Sequence, residues 1–227
     1  MTPPAPRSRP DVVAFDVNET LLDLAPVRAT LVELGEPGPL LGTVFARTLL
    51  TGFAAAAVGS WCRFRDAFDA ALAQETGLSA GQRASVADAF GELSPHPDVE
   101  PALRRLTEAG VRVVTLSHGS PGVAEAALER GGITPLVERT MTSETIRAWK
   151  PSREVYLWAA GLCDVAPERM ALVAAHGWDV LGARRAGLTG AWFPRGERVF
   201  PAVYGEPDVA GADLAGAVDG LLALPPR

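Results

Sequence analysis

The segment Val12-Val13-Ala14-Phe15-Asp16-Val17-Asn18-Glu19-Thr20-Leu21-Leu22-Asp23 constrains this chain more than any other. Its opening apolar run reads as a buried strand, and a polar turn follows at once. The strand delivers one aspartate, Asp16, to its C-terminal end, with Thr20 in the turn beyond. In an open α/β sheet, ligands bind just past the carboxyl ends of the strands. Asp16 is therefore placed for chemistry on a small molecule, although an aspartate at this point can also do no more than cap the next turn.

The rest of the chain sets this strand in a repeating pattern. Further strands are predicted at Val111–Ser117, Val137–Thr142, Met170–Ala174 and Thr189–Phe193. Helical patterns lie between them: Asp98 to Leu106 with a stop at Gly110, Ser120-Pro121 to Leu128 with a stop at Gly131-Gly132, Arg153–Gly161, Asp179–Ala186 and Asp213–Leu222. Strands alternating with helices specify an α/β fold, a Rossmann-like three-layer parallel sheet. Residues 24–94 break the rhythm and hold no convincing strand. Helices fit Pro26–Leu34, Leu40–Thr51, Trp61–Glu75 and Ala80–Leu93, the last opened by a Ser79/Gln82 capping box. The expected organisation is a flexible tail at 1–10, an α/β core from 11–23 and 95–227, and an all-helical cap at 24–94. A cap inserted after the Asp16 turn can exclude water and shape a pocket.

Composition narrows the function classes. Acidic residues outnumber basic ones, 27 to 21, and no basic block is present, which argues against nucleic acid as a partner. The longest apolar stretch, around Phe53–Val58, is too short to span a bilayer, so no membrane partner is expected. The Pro-rich start lacks the apolar region of a signal peptide. Cys62 and Cys163 have neither metal-site nor redox spacing and read as reduced residues of a cytoplasmic protein. Among 21 basic residues Lys150 is the single lysine. A lysine is a compact point charge where arginine is a broad fork, so it suits a narrow site beside a carboxylate, although chance in an arginine-biased chain also accounts for it.

Each predicted core strand ends in polar groups: Asp16 on the first, Ser117-His118-Gly119-Ser120 on the second, Lys150-Pro151 and Tyr156 after the third, and His176-Gly177-Trp178-Asp179 on the fourth. With FDVNETLLD, LSHGSP, KPSREVY and AAHGWD in this order, the chain resembles the haloacid dehalogenase superfamily, and within it the type II L-2-haloacid dehalogenases. The resemblance runs from Val12 to the last helix. It implies a hydrolase acting on carbon–halide bonds that needs no cofactor or metal. Its substrate is a short (S)-2-haloacid, opened to the 2-hydroxyacid through an aspartyl ester on Asp16. A desolvated, aligned carboxylate is a competent nucleophile for this step.

The resemblance also implies roles. Lys150 and Tyr156 hold the nucleophile, Thr20 hydrogen-bonds it, and Asp179, alone or with His176, directs the hydrolytic water. Ser117 and the turn after it grip the substrate carboxylate. Arg47, 31 residues past Asp16, and His118 receive the halide. Phe64 and Trp178, with Phe53 and Trp61, wall the apolar side. Simpler readings stand beside these: Asp179 as an N-cap, Ser117 and Thr20 as cap and turn residues, Arg47 as a solvated helix residue, the aromatics as core. Asn18 stands where the superfamily's phosphatases carry an acid, and Ala175 where they carry a magnesium-binding aspartate. Both speak against the alternative of a magnesium-dependent phosphatase. A catalytically silent binding protein of the same fold is the second alternative. Members of the family are often dimers, which leaves a homodimer open.

Overall fold

The computed structural model describes residues 7–120 and 122–226. The leading apolar run becomes β1 (Val12–Phe15), each residue fully buried. A strand with apolar side chains on both faces needs a covered sheet, and β1 has one. Beside it lie β4 (Arg112–Ser117), β5 (Arg139–Thr142), β6 (Met170–Ala174), β7 (Thr189–Trp192) and the short β8 (Val209–Ala210). Among the described residues these make a six-stranded parallel sheet in the order β5-β4-β1-β6-β7-β8. The strand order reverses at β1, which is the topological switch point where open α/β sheets form their crevice. Register then fixes the edge: Phe15 lies opposite Thr115 on one side and Val173 on the other, so Asp16, Ser117 and Ala175 emerge together.

Helices cover both faces. Val13 and Phe15 pack into a core shared with α5 (Val99–Glu108), α6 (Val123–Arg130) and α9 (Leu214–Leu222). Val12 and Ala14 pack into a second core under α7 (Arg153–Leu162) and α8 (Gly177–Ala186). Pro121, expected to open a helix, lies outside the described residues; α6 begins two residues later. Of the expected tail at 1–10, residues 1–6 also lie outside them. Residues 7–10 are tied down rather than loose: Arg7 donates to the Gly187 carbonyl at 2.9 Å and pairs with Asp208 at 3.2 Å, and Arg9 donates to the Leu222 carbonyl at 3.0 Å.

Two short strands absent from the sequence reading, β2 (Leu22–Asp23) and β3 (Ser94–Pro95), pair antiparallel. Between them run α1 (Ala25–Glu33), α2 (Leu40–Ala57), α3 (Phe64–Glu75) and α4 (Ala80–Asp88), followed by a tight turn at Ala89–Glu92. The chain thus leaves and re-enters the core side by side. Helix α2 is longer than expected, 18 residues, and by length and composition alone it is apolar enough to cross a membrane. The shorter Phe53–Val58 run misjudged this, because threonine and a single arginine dilute a helix's mean hydropathy only slightly. Leu41, Val44, Phe45, Thr48 and Gly52 form its buried stripe. Gly52 sits so close to the Trp149 ring that a Cβ there would meet it at 2.3 Å. Trp149 in turn donates from Nε1 to the Cys62 carbonyl at 2.9 Å, joining the core to the helical segment.

Candidate active site

Asp16 follows directly on β1 and is 5% exposed. Both of its oxygens are held. Oδ1 accepts from Lys150 Nζ at 2.7 Å, and Oδ2 accepts from the Thr20 hydroxyl at 2.8 Å and from His176 Nδ1 at 3.0 Å. Thr20 itself accepts from the Ala175 amide at 3.0 Å, which ties the turn after β1 to the end of β6. Burial alone pushes a carboxyl up, yet the charges of Lys150 and His176 outweigh it and hold Asp16 well below the usual carboxylate range.

Lys150 is fully buried and spends all three of its protons: on Asp16, on Asp179 Oδ2 at 2.6 Å and on the Leu116 carbonyl at 2.9 Å. Burial lowers a lysine, but two carboxylates overcome that and raise it. Asp179, in the first turn of α8, accepts the Tyr156 hydroxyl on Oδ1 at 2.6 Å. Its burial beside the Asp16 charge pushes it up, and burial beside Asp179 pushes Tyr156 well above its ordinary value.

His176 is placed differently. Its Nε2 meets Glu19 Oε2 at 3.1 Å while Nδ1 meets Asp16. A carboxylate on each ring nitrogen requires both to carry protons, so the ring is an imidazolium. Despite its burial, the two carboxylates raise it to about 10. His118 shows the opposite behaviour: burial and the Lys150 charge hold it well below its ordinary value, so it is neutral. Its Nδ1 is 3.1 Å from the Ser143 hydroxyl, and Nε2 is buried with no protein partner.

These groups surround a narrow chamber with about 10 Å³ of free space, lined by Asp16, Asn18, Ser117, His118, His176 and Trp178 from the core and by Phe45, Leu49 and Phe64 from α2 and α3. The space is of the order of a single water. His176 stacks between Phe45 and Trp178, with centroids at 6.1 and 5.5 Å. The structure therefore brings together Asp16, Asn18, Phe64, Ser117, His118, His176 and Trp178 at the chamber wall, with Thr20, Lys150, Tyr156 and Asp179 packed around the Asp16 carboxylate.

Arg47 is not among them. It points away from the chamber, about half exposed, and pairs with Glu75 on α3. The reason is helical phase: residues two apart on a helix face opposite sides, so when Phe45 faces Asp16, Arg47 cannot. Among the described residues no arginine lines the chamber. Phe53 and Trp61, expected as walls, pack at the rim of the core, Phe53 against Trp178 at 5.3 Å. Sequence reasoning missed Phe45, Leu49, Glu19 and Ser143. Phe45 belongs to the buried stripe of α2, which the structure orients toward Asp16. Glu19 stood inside the leading motif, but its reach to His176 depends on a left-handed backbone, φ 61°, which no pattern shows.

The donor set does not suit a magnesium ion. Position 175 is an alanine, Asp16 is already committed to two cationic groups, and no cluster of three or more metal-ligating side chains occurs among the described residues.

A sequence profile of haloacid dehalogenase-like hydrolases matches residues 10–187. The chain is 31% identical over 134 residues to (S)-2-haloacid dehalogenase H-109 of Pseudomonas putida, a match covering 59% of this chain and 60% of that one. Across this and three further (S)-2-haloacid dehalogenases it spans 44–61% of the relative's length. Among solved structures it superposes on an L-2-haloacid dehalogenase with a TM-score of 0.86 and 26% identity, covering 95% of this chain and 100% of the other. It also superposes on the L-2-haloacid dehalogenase of Xanthobacter autotrophicus with chloropropionic acid covalently bound, with a TM-score of 0.80 and 21% identity over 92% and 97% of the two chains.

Proposed function

Because the chain belongs to the haloacid dehalogenase-like hydrolase family, we propose that it hydrolyses short (S)-2-haloacids to 2-hydroxyacids, with Asp16 as a covalent nucleophile. The observation that carries this reading is Asp16 itself: an ionised carboxylate, fixed in rotation by donors on both oxygens, facing an apolar-walled chamber at the switch point of the sheet. Such a group is stripped of bulk water and aimed, the two conditions that turn a weak nucleophile into a useful one.

In the first step a carboxylate oxygen of Asp16 attacks the α-carbon, the carbon–halogen bond breaks with inversion, and the halide takes the bonding pair. Lys150 keeps Asp16 ionised beforehand, and Tyr156 and Asp179 keep Lys150 in place. Ser117 and the backbone after β4 receive the substrate carboxylate. The partnerless Nε2 of His118 and the side chain of Asn18 line the space into which the halide departs. In the second step water attacks the ester carbonyl and returns Asp16. The free space is smaller than a haloacid, so substrate enters as the helical segment between β2 and β3 shifts or the Phe45 and Phe64 rings turn aside.

Release of chloride from L-2-chloropropionate in the presence of a chelator tests the reading, run beside phosphate release from an aryl phosphate with magnesium. Halide release that survives the chelator and falls to background in Asp16→Asn is expected. Magnesium-dependent phosphate release, or halide release that Asp16→Asn leaves unchanged, overturns it. A single turnover in ¹⁸O-water places label in the Asp16 carboxylate; label confined to product means direct attack by water instead.

A further inference from the structure

Hydrolysis of an aspartyl ester needs a base for the incoming water, and Asp179, the residue expected to supply it, does not line the chamber. It is fully buried, with one oxygen on Lys150 and the other on Tyr156. Apart from Asp16, the titratable side chains that do line the chamber are His118 and His176. His118 is backed by a hydroxyl, Ser143. His176 is backed by a carboxylate, Glu19, and its other nitrogen lies 3.0 Å from the oxygen of the group that water must attack. Glu19 reaches it while holding a left-handed backbone, φ 61°, a conformation that non-glycine residues seldom adopt and that is retained where the surroundings demand it.

We propose that Glu19 and His176 form a carboxylate–imidazole dyad that serves as the general base for breakdown of the aspartyl ester, His176 acting on the water and Glu19 positioning the ring. This rests on the covalent reading above and completes its second step. At rest the ring is protonated between two carboxylates. Once Asp16 is alkylated, one of those charges is gone, and the ring releases its proton to solvent past Glu19, whose side chain is one-third exposed. That proton and the departed halide together balance the displaced HX. Neutral His176 then takes a proton from water as hydroxide adds to the ester carbonyl. The tetrahedral adduct collapses, the carbon–oxygen bond from the carbonyl to the product oxygen breaks, and the ring returns its proton to the departing alkoxide. The proton of the new Asp16 carboxyl passes to His176, restoring the resting pair.

The groups that face His176 from the surrounding elements are consistent with this cycle. Asp16 and Glu19 come from β1 and its turn, Lys150 stands behind Asp16, neutral His118 lies across Trp178, and Glu197 accepts from the neighbouring Gly177 amide at 3.0 Å. After alkylation Glu19 is the anion left in contact with the ring, so the ring's affinity for its proton in the ester state is set chiefly by Glu19.

The test is rapid-quench turnover of L-2-chloropropionate, with mass analysis of the Asp16 peptide. Wild type turns over without accumulating ester. His176→Gln releases one equivalent of chloride, accumulates the ester, and then turns over about 10²–10⁴-fold more slowly. Glu19→Gln slows ester breakdown and moves its pH midpoint downward, and Glu19→Asp recovers most of the rate. Wild-type turnover with no ester in His176→Gln, or a Glu19→Gln profile that keeps the wild-type midpoint, overturns the dyad alone. No chloride release by wild type overturns the proposed function and the dyad with it. Should His176→Gln fail to fold, the Glu19→Gln profile decides the matter.

Discussion

The two oxygens of Asp16 are held by two arms of opposite character. On the Oδ1 side, Lys150, Asp179 and Tyr156 form a closed ion-paired cluster, fully buried, with the amine and the carboxylate oxygens all partnered. On the Oδ2 side, Thr20 and His176 lead outward to Glu19, whose side chain is 34% exposed. A dry cluster that cannot exchange protons with solvent sets charge and geometry. An arm that ends near solvent can move a proton. In the proposed cycle the lysine side accordingly orients the carboxylate and the histidine side moves its protons.

Breaking the closed arm has the largest expected effect. Lys150→Met leaves Asp16 and Asp179 buried without the cation between them, and Asp179 with no cationic partner. Removing one member of a buried ion pair typically costs about 3–5 kcal/mol, so this variant should unfold at much lower denaturant than wild type and release no halide. Chemical denaturation followed by intrinsic fluorescence checks it; a loss below about 1 kcal/mol would mean that the cluster contributes little to stability and serves orientation alone.

The open arm answers to pH. His176 has its proton affinity raised on folding, from 6.5 to about 10. Below 6.5 folded and unfolded chains both hold the proton, and the two carboxylate contacts contribute in full. Above it the unfolded chain gives the proton up while the folded one keeps it, so this contribution is lost progressively as pH rises toward 10. Wild-type stability should therefore fall across that window by up to roughly 1.4 kcal/mol per pH unit, and His176→Asn should flatten the slope. Lys150 does not interfere over most of this window, since its ordinary value is 10.5 and folding raises it further. An equal slope in both proteins would mean that the ring is already neutral in the folded state.

The same contrast explains what the sequence disclosed. Asp16, Ser117 and His176 stand at or just beyond strand ends, and strands are legible as apolar runs bounded by turns. Once the sheet was inferred, parallel register carried their residues to one edge. Glu19 depends on a single positive φ, and the two-residue β2 and β3 on tertiary pairing alone. None of these has a local pattern. The helical segment was legible as helices but not in rotation: without a neighbour to pack against, the phase of α2 is undetermined, and phase decides which side chain faces Asp16.

Arg47 carries the smallest effect and the sharpest lesson. Distance along the chain placed it at the halide, but the buried stripe of α2 runs through Leu41, Val44, Phe45, Thr48 and Gly52, and Arg47 lies on the other side with Glu75. An ion pair with one partner half in solvent contributes about 0–1 kcal/mol. Arg47→Ala should therefore shift the unfolding midpoint only slightly and leave halide release within about twofold of wild type, a difference near 0.4 kcal/mol in transition-state terms. A loss of a hundredfold or more would require the guanidinium to reach the departing halide, and α2 would then have to turn by about half a revolution when substrate binds, carrying Phe45 out of the chamber. The outcome separates two ways of stabilising a leaving halide: a cation brought in by the helical segment, or neutral donors already fixed at the sheet edge, His118 and Asn18, with apolar walls around them. The neutral arrangement is the weaker stabiliser of developing charge, so it favours halides that leave readily, and a bromide-to-chloride rate ratio that Arg47→Ala leaves unchanged would place the selectivity in the core rather than in the helices.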